Sequence, residues 1–180
     1  MSREAEIHVV PYDEAWPRQF EDERQALADA LGPYVTGTIE HIGSTAVPGL
    51  VAKPVIDIMV GVESLDGSRP AIPLLERLEY CHFPYRAETE HWFCKPSPQC
   101  RTHHLHLVPC RSRTWVEAIA FRDHLRAHPD AAADYASLKR RLAERYRDDR
   151  EAYTDAKAPF IQQTVERALN DSRWRRPESS

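Results

Sequence analysis

The sequence predicts an α/β fold of the α+β type, with a mixed β-sheet flanked by helices and a helical C-terminal segment packed against it. Between residues 7 and 110, short runs of β-branched and aromatic residues are separated by Gly, Pro and Asp, as strands require. Between residues 114 and 169, apolar residues recur at helical spacing. The 180 residues, 42% hydrophobic and 29% charged, are enough for one domain with its own core.

We therefore expect a single domain over residues 1–170, rich in strands at 7–110 and helical at 114–169. The end of the chain, 171–180, is polar and contains Pro177. Such a segment cannot bury enough apolar surface to offset the entropy of ordering it, so we expect a disordered tail.

The first helix is predicted from its apolar face and its end signals. Leu27 and Leu31 fall on one face of this helix. It begins near Trp16, with Asp13 as its cap, and ends at Gly32. The remaining predictions for the first half are strands at 7–10, 35–42, 55–60, 83–86, 88–95 and 103–108, a loop at 61–68 and a helix at 70–80.

Three helices are predicted in the second half. The first ends where His128-Pro129-Asp130 interrupts the pattern, and the third runs from about Arg150 to Leu169. Pro159 lies inside this third helix and predicts a kink there or a break near Lys157. The basic run Lys139–Arg141 on the second helix is interpreted as solvated surface.

Composition narrows the range of partners and compartments. A net charge of −4 gives no general attraction to nucleic acid or to an anionic membrane. We expect a cytoplasmic protein, because no apolar run is long enough for a membrane span and the first residues lack the apolar stretch of a signal peptide. The spacing of the cysteines fits no zinc ribbon, so we expect four free thiols: Cys81, Cys94, Cys100 and Cys110. The sequence makes no prediction about the oligomeric state.

The segment from His41 to Val60 has the layout of a functional site. Asp57 lies within an apolar strand, where an unpaired charge is costly, so it needs a partner or a bound proton. The preceding Gly43-Ser44 turn offers backbone N–H groups and a hydroxyl that can hold an anionic oxygen. We expect this turn and this carboxylate to face the same cleft.

These residues resemble the nucleotidyltransferase superfamily, in which a Gly-Ser turn precedes a strand bearing metal-binding acids. A narrower resemblance covers roughly residues 7–168 and points to the GrpB family, also called UPF0157. It rests on three blocks, which are His41–Val60, Arg101–Val108 and Tyr153–Ile161. The resemblance implies a nucleotidyltransferase-like sheet, and it implies relatives that occur alone or fused to dephospho-CoA kinase.

The chain departs from working nucleotidyltransferases at the second acid position. Carboxylates at alternate positions of a strand share a face and can hold two Mg²⁺ ions, but here Met59 follows Asp57. A thioether is a poor ligand for Mg²⁺. On the later strand His104 and His106 share one face and would converge with Asp57 if the two strands were neighbours. Imidazoles suit a transition metal better than Mg²⁺.

Candidate site residues follow from the turn, the two strands and the resemblance. The candidate catalytic residues are Ser44, Asp57, His104 and His106, and the candidate metal ligands are Asp57, His104 and His106. The candidate ligand-binding residues are His41, Gly43, Ser44, Thr45, Lys53 and Lys157. The expected cofactors are a nucleotide and a divalent metal, either Mg²⁺ or Mn²⁺ or a transition metal.

Three functions are consistent with this set of residues. The first is a cleft that binds a nucleotide or another phosphorylated small molecule, with metal-dependent nucleotidyl transfer from an incomplete acid pair. The second is a metal-dependent hydrolase or ligase-like enzyme that uses a His/Asp site. The third is a nucleotide-sensing or accessory module without catalysis. If the protein turns over a nucleoside triphosphate and Asp57→Asn does not, the result favours the transferase over the sensing or accessory module.

Overall fold

The computed structural model describes residues 6–174. The helices are α1 (Trp16–Leu31), α2 (Leu65–Ser68), α3 (Ile72–Glu76), α4 (Arg113–Ala127), α5 (Pro129–Arg145) and α6 (Arg150–Asn170). The strands are β1 (Ile39–Ile42), β2 (Ile56–Val62), β3 (Cys81–Phe83), β4 (His91–Pro96) and β5 (Arg101–Pro109). Short 3-10 turns occur at Gly32–Tyr34, Ser44–Ala46 and Arg69–Ala71.

The strands form one mixed sheet in the order β1-β2-β5-β4-β3. The two central strands, β2 and β5, are parallel, and the other pairs are antiparallel. The register of the parallel pair places Asp57 beside His104 and Met59 beside His106. The predicted convergence of these strands is therefore present in the fold.

The two faces of the sheet bury different helices. Alternate residues of the central strands, such as Ile58 and Leu105, are fully buried in a core that also contains Leu27 of α1 and Leu75 of α3. On the opposite face Met59 packs in a second cluster that α4 covers. Because side chains alternate along a strand, Asp57 lies on the same face as Met59, toward the helical half of the chain.

Several predicted strand boundaries were wrong. The segment 7–10 is not a strand: Val10 forms an isolated bridge with Ala52, and Ile7 packs among residues of the C-terminal helices. Strand β1 is shorter than predicted, and the predicted strand at 83–86 lies at Cys81–Phe83 instead. The helix expected at 70–80 is reduced to a 3-10 turn and α3.

The predicted loop at 61–68 was also wrong. Val62 belongs to β2, where it pairs with β5 and is 1% exposed, so burial extends the strand. The residues that follow form α2, because Ser64 caps it by accepting a hydrogen bond from the backbone N–H of Gly67 at 3.0 Å.

The three long C-terminal helices agree with the prediction. Helix α6 continues through Pro159 without a break near Lys157. Asp149 begins it by accepting a hydrogen bond from the backbone N–H of Ala152 at 2.9 Å. Residues 171–174 of the predicted tail form a turn, in which the backbone N–H of Trp174 bonds to the carbonyl of Asp171. The prediction for 175–180 lies outside the described residues.

Two further observations concern residues 6–174. None of the helices in this part of the chain has the length and apolar character that a membrane crossing requires. The four cysteines all lie within this range and are free thiols, as predicted.

Candidate functional site

A cleft of about 880 Å³ lies between the sheet and the last two helices. This volume is typical of small-molecule sites. The sheet side of the cleft contributes Ser44, Thr45, Lys53, Asp57, Trp92, His104 and His106. The helical side contributes Lys139, Tyr153 and Lys157. The cleft thus gathers most of the residues that the sequence singled out.

The turn before Asp57 requires glycine. Gly43 has a φ of +70°, and a Cβ atom there would lie 2.4 Å from Oδ2 of Asp57. No side chain can occupy that space without displacing the carboxylate. Gly43 itself therefore shapes the site by letting the backbone approach Asp57.

A buried series of hydrogen bonds, from His41 through Thr45 to Val55, supports this turn. The Thr45 hydroxyl donates to the carbonyl of Val55 at 3.2 Å, so the His41 Nε2–H donates to the Thr45 oxygen at 3.0 Å. The His41 ring stacks on Phe20 with centroids 4.7 Å apart. Burial lowers the pKa of His41 to about 4. His41 is therefore a neutral support for the turn, and the structure does not bring it to the cleft wall.

Asp57 and His104 form the first of two carboxylate–imidazole pairs. Nδ1 of His104 lies 2.8 Å from Oδ1 of Asp57. Burial raises the pKa of Asp57, but the hydrogen bond and charge of His104 outweigh it and hold the pKa below its usual range. Burial lowers the pKa of His104 despite this bond. A carboxylate only accepts, so Nδ1 carries the proton, and the buried Nε2 atom has a lone pair with no hydrogen-bond partner.

His106 and Glu90 form the second pair. Nδ1 of His106 lies 2.5 Å from Oε2 of Glu90, whose residue is 3% exposed. Burial lowers the pKa of His106, but the hydrogen bond and negative charge of Glu90 outweigh it and raise the pKa above its ordinary value. Both imidazoles thus bond to a carboxylate through Nδ1.

Three lysines gather at the inner end of the cleft. The ammonium groups of Lys53 and Lys157 lie 5.2 Å and 4.2 Å from the centre of the Tyr153 ring. Lys139 is 2% exposed, lies 4.6 Å from the Tyr135 ring and donates a hydrogen bond to the carbonyl of Val51. We call these three residues, Lys53, Lys139 and Lys157, the lysine cluster.

The lysine cluster is electrostatically crowded. Burial and the charge of Lys53 lower the pKa of Lys157 to about 7, although Asp57 opposes the effect. Burial likewise lowers the pKa of Lys139 to about 7, with added repulsion from Lys157. Crowded cations on a concave surface form a site for an anion.

Two tyrosines complete the inner wall. Burial raises the pKa of Tyr153 to about 12. Burial also raises the pKa of Tyr135, and a hydrogen bond with Ser44 opposes part of this rise. Both phenols therefore stay protonated at neutral pH.

The sequence did not identify every residue of the cleft. Lys139 was interpreted as solvated, which was wrong, because it follows the buried Tyr135 by one helical turn and shares its inner face. Glu90 received no role, although a lone acid at the edge of an apolar strand is the same signal that drew attention to Asp57. Tyr153 lay within a family-like block but was not singled out.

The donor set does not fit a two-carboxylate magnesium centre. Met59 is packed among apolar side chains at the second acid position, and Asp57 is bonded to His104. Within residues 6–174, no three His, Cys, Asp or Glu side chains are grouped so as to hold a metal ion. Metal binding by Asp57, His104 and His106 therefore stays a prediction, which metal analysis of protein purified without a histidine tag would test.

Relatives of known sequence match most of the chain. It is 41% identical over 171 residues to a UPF0157 protein of Pseudomonas aeruginosa, covering 93% of this chain and 69% of the relative. It is also 32% identical over 189 residues to a dephospho-CoA kinase of Mycolicibacterium paratuberculosis. That match covers 91% of this chain but only 46% of the longer kinase.

Solved structures agree with the fold. The crystal structure of the conserved protein GrpB from Enterococcus faecalis superposes with a TM-score of 0.82 at 35% identity, covering 90% of this chain and 97% of the other. The GLD-2/RNP-8 complex gives a TM-score of 0.52 at 15% identity, covering 95% of this chain and 75% of the other. The latter likeness concerns the fold alone, and the two likenesses together confirm the predicted mixed sheet flanked by helices. Since the family model described as GrpB protein also matches residues 6–167, the chain belongs to the GrpB family.

Proposed function

We propose that the cleft binds a small ligand that carries phosphate, either a nucleotide or another phosphorylated molecule. The observation that supports this most strongly is the lysine cluster at the inner end of the cleft. Asp57 is the carboxylate whose charge acts on Lys139 and Lys157, whereas Glu90, the other carboxylate deep in the cleft, is bonded to His106. The other acids of the cleft, such as Asp155, are exposed to solvent.

A bound phosphate would remove the repulsion within this cluster. Burial and like charge keep Lys139 and Lys157 partly deprotonated at neutral pH. A ligand with two or more negative charges favours the ammonium forms and compensates for their loss of water. Hydrogen bonds between charged groups contribute about 1.5–3 kcal/mol each. The site is therefore arranged for an anion that is multiply charged.

Chemical turnover is a second candidate function of the same cleft, and the Asp57–His104 pair favours it. Asp57 orients the imidazole and stabilises its positive charge after protonation. Once a bound ligand opens the buried Nε2 atom of His104 to the cleft, this atom can accept the proton of a hydroxyl group or water. The oxygen of that group then bonds to phosphorus as the bond between phosphorus and the oxygen of the departing phosphate or pyrophosphate breaks. This step suits a transferase or a hydrolase equally, since the two differ only in the attacking oxygen.

Binding of inorganic tripolyphosphate, measured by isothermal titration calorimetry at pH 6.5, tests the first proposal. Saturable binding is expected, and Lys157→Gln should weaken it by about 10- to 100-fold, the equivalent of one charged hydrogen bond. Arg141→Gln is the matched control, because Arg141 is exposed and lies outside the cleft. Absence of binding, or equal loss in both variants, would contradict the proposal.

Turnover is tested separately from binding. The wild-type protein is incubated with nucleoside triphosphates in the presence of Mg²⁺ or Mn²⁺, and the products are resolved by chromatography. Loss of turnover in His104→Asn with retained tripolyphosphate binding would support the transferase or hydrolase. Binding without turnover in the wild type would instead identify a sensing or accessory module.

A further inference from the structure

An aromatic wall extends from the lysine cluster toward the mouth of the cleft. It consists of Phe83, Tyr85 and Trp92, which all line the cleft. The ring of Trp92 has its centroid 5.8 Å from that of Phe83 and 6.0 Å from that of Tyr85. Strand pairing explains the cluster, because Phe83 and Trp92 lie directly opposite each other on β3 and β4.

Part of the apolar ring surface of this wall is not buried within the protein. Tyr85 is 48% exposed, and only Leu169 is comparable among large hydrophobic residues of the described part of the chain. Exposed aromatic surface beside a cleft is characteristic of a binding site, since burying it against a ligand is favourable.

Two guanidinium groups accompany the rings. Arg86 lies 5.1 Å from the centre of the Tyr85 ring, and Arg101 lies 5.4 Å from that of Trp92. Both arginines line the cleft. Aromatic rings and guanidinium planes both stack on flat, electron-rich rings, and together they suit a ligand that combines a ring with negative charge.

The wall is continuous with the phosphate site. The Trp92 ring lies 5.2 Å from the ring of His104, and His104 is bonded to Asp57 at the edge of the lysine cluster. A ligand that placed phosphates on the lysines would therefore bring the rest of its structure past His104 and onto Trp92. A sugar phosphate would leave the ring surface unused, whereas a nucleotide would cover it.

We propose that Trp92 and Tyr85 form a stacking subsite for the base of a nucleotide, whose phosphates bind at the lysine cluster. This proposal rests on the proposed phosphate-binding function and narrows its ligand class. Stacking alone accepts every base, so purines and pyrimidines both bind, and purines bind more tightly because they bury more surface.

The test compares ligands with and without a base. Dissociation constants of ATP, CTP, ribose 5-phosphate and inorganic tripolyphosphate are measured by calorimetry on the wild type, Tyr85→Ala and Tyr85→Phe. Tyr85 is exposed, so its replacement leaves the core intact. Trp92→Leu serves as a second variant, with its fold checked by circular dichroism.

The expected result separates the two subsites. ATP should bind about tenfold more tightly than tripolyphosphate, with CTP between them, and Tyr85→Ala should remove most of the ATP advantage. Tripolyphosphate binding should not change in Tyr85→Ala, and Tyr85→Phe should resemble the wild type. Equal affinity for ATP and tripolyphosphate, unaltered by either aromatic variant, overturns the stacking subsite and leaves the phosphate site standing. Failure of both ligands to bind overturns both proposals.

Discussion

Replacing Lys157 by Met should stabilise the free protein while it weakens phosphate binding. The pKa of Lys157 falls from its ordinary value of 10.5 to about 7 because burial and the charge of Lys53 disfavour the ammonium form. At 1.36 kcal/mol for each pKa unit, the full difference amounts to about 5 kcal/mol. This is an upper limit, because the half-buried side chain can move its charge toward water, and we expect about 1–3 kcal/mol.

The pH dependence follows from the sign of this pKa change. Between pH 7 and 10.5 the unfolded chain binds more protons at Lys157 than the folded protein does, so wild-type stability rises with pH over this range. The loss of stability that the buried Lys157 charge causes is complete below pH 7 and absent above pH 10.5. At about pH 9, less than half of this loss remains. The stability advantage of Lys157→Met should shrink in the same way.

Thermal unfolding at pH 6, 7.5 and 9 measures this effect. For a chain of this length, 1–3 kcal/mol raises the Tm of Lys157→Met by about 2–10 °C at pH 6. Tripolyphosphate should raise the Tm of the wild type more than that of Lys157→Met, since the variant lacks the ammonium group. Arg141→Met, at an exposed position, is the control and should change little. A variant less stable than the wild type at pH 6, or an advantage as large at pH 9 as at pH 6, would contradict this expectation.

Three further predictions concern the turn, the second imidazole and the pH dependence of binding. Gly43→Ala should lower the free energy of unfolding, measured in urea, by at least about 2 kcal/mol more than Gly49→Ala does. A Cβ atom at Gly43 would lie 2.4 Å from a carboxylate oxygen, whereas a Cβ atom at Gly49 would have no other atom within 4 Å. Equal losses of stability in the two variants would contradict this. Glu90→Gln should lower the pKa of His106 in an NMR titration, since the amide carries no charge; an unchanged curve would remove Glu90 as the cause. The affinity for tripolyphosphate should fall above pH 7, by up to about tenfold per pH unit for each lysine of the cluster that loses its proton. In Lys157→Arg, whose side chain stays charged, the affinity should fall less steeply with pH.

The pairing of Asp57 with His104 could be predicted because it depends on local rules. Side chains alternate along a strand, so His104 and His106 had to share a face, and adjacent parallel strands place matching positions side by side. Only the adjacency of β2 and β5 was assumed. The Gly43-Ser44 turn was predicted as a site for an anionic oxygen, and the structure adds that only a residue without a side chain tolerates the approach of Gly43 to Asp57.

The remaining cleft residues depend on contacts between distant parts of the chain. Glu90 reaches His106 only because β4 pairs with β5, and the sequence does not specify that order of strands. Lys139 reaches the cleft only because α5 packs over the segment before β2. A basic run on a helix is solvated unless tertiary packing covers it, so local patterns favour the wrong interpretation there.

The position of a bound anion tests the central claim most directly. Crystals of the protein are soaked in tungstate, a phosphate analogue whose tungsten atom is located by anomalous diffraction. A tungsten peak is expected in the cleft, within hydrogen-bonding reach of the ammonium groups of Lys53 and Lys157, and it should disappear in Lys157→Gln. Peaks confined to the outer surface, with the inner end of the cleft occupied by water alone, would contradict it.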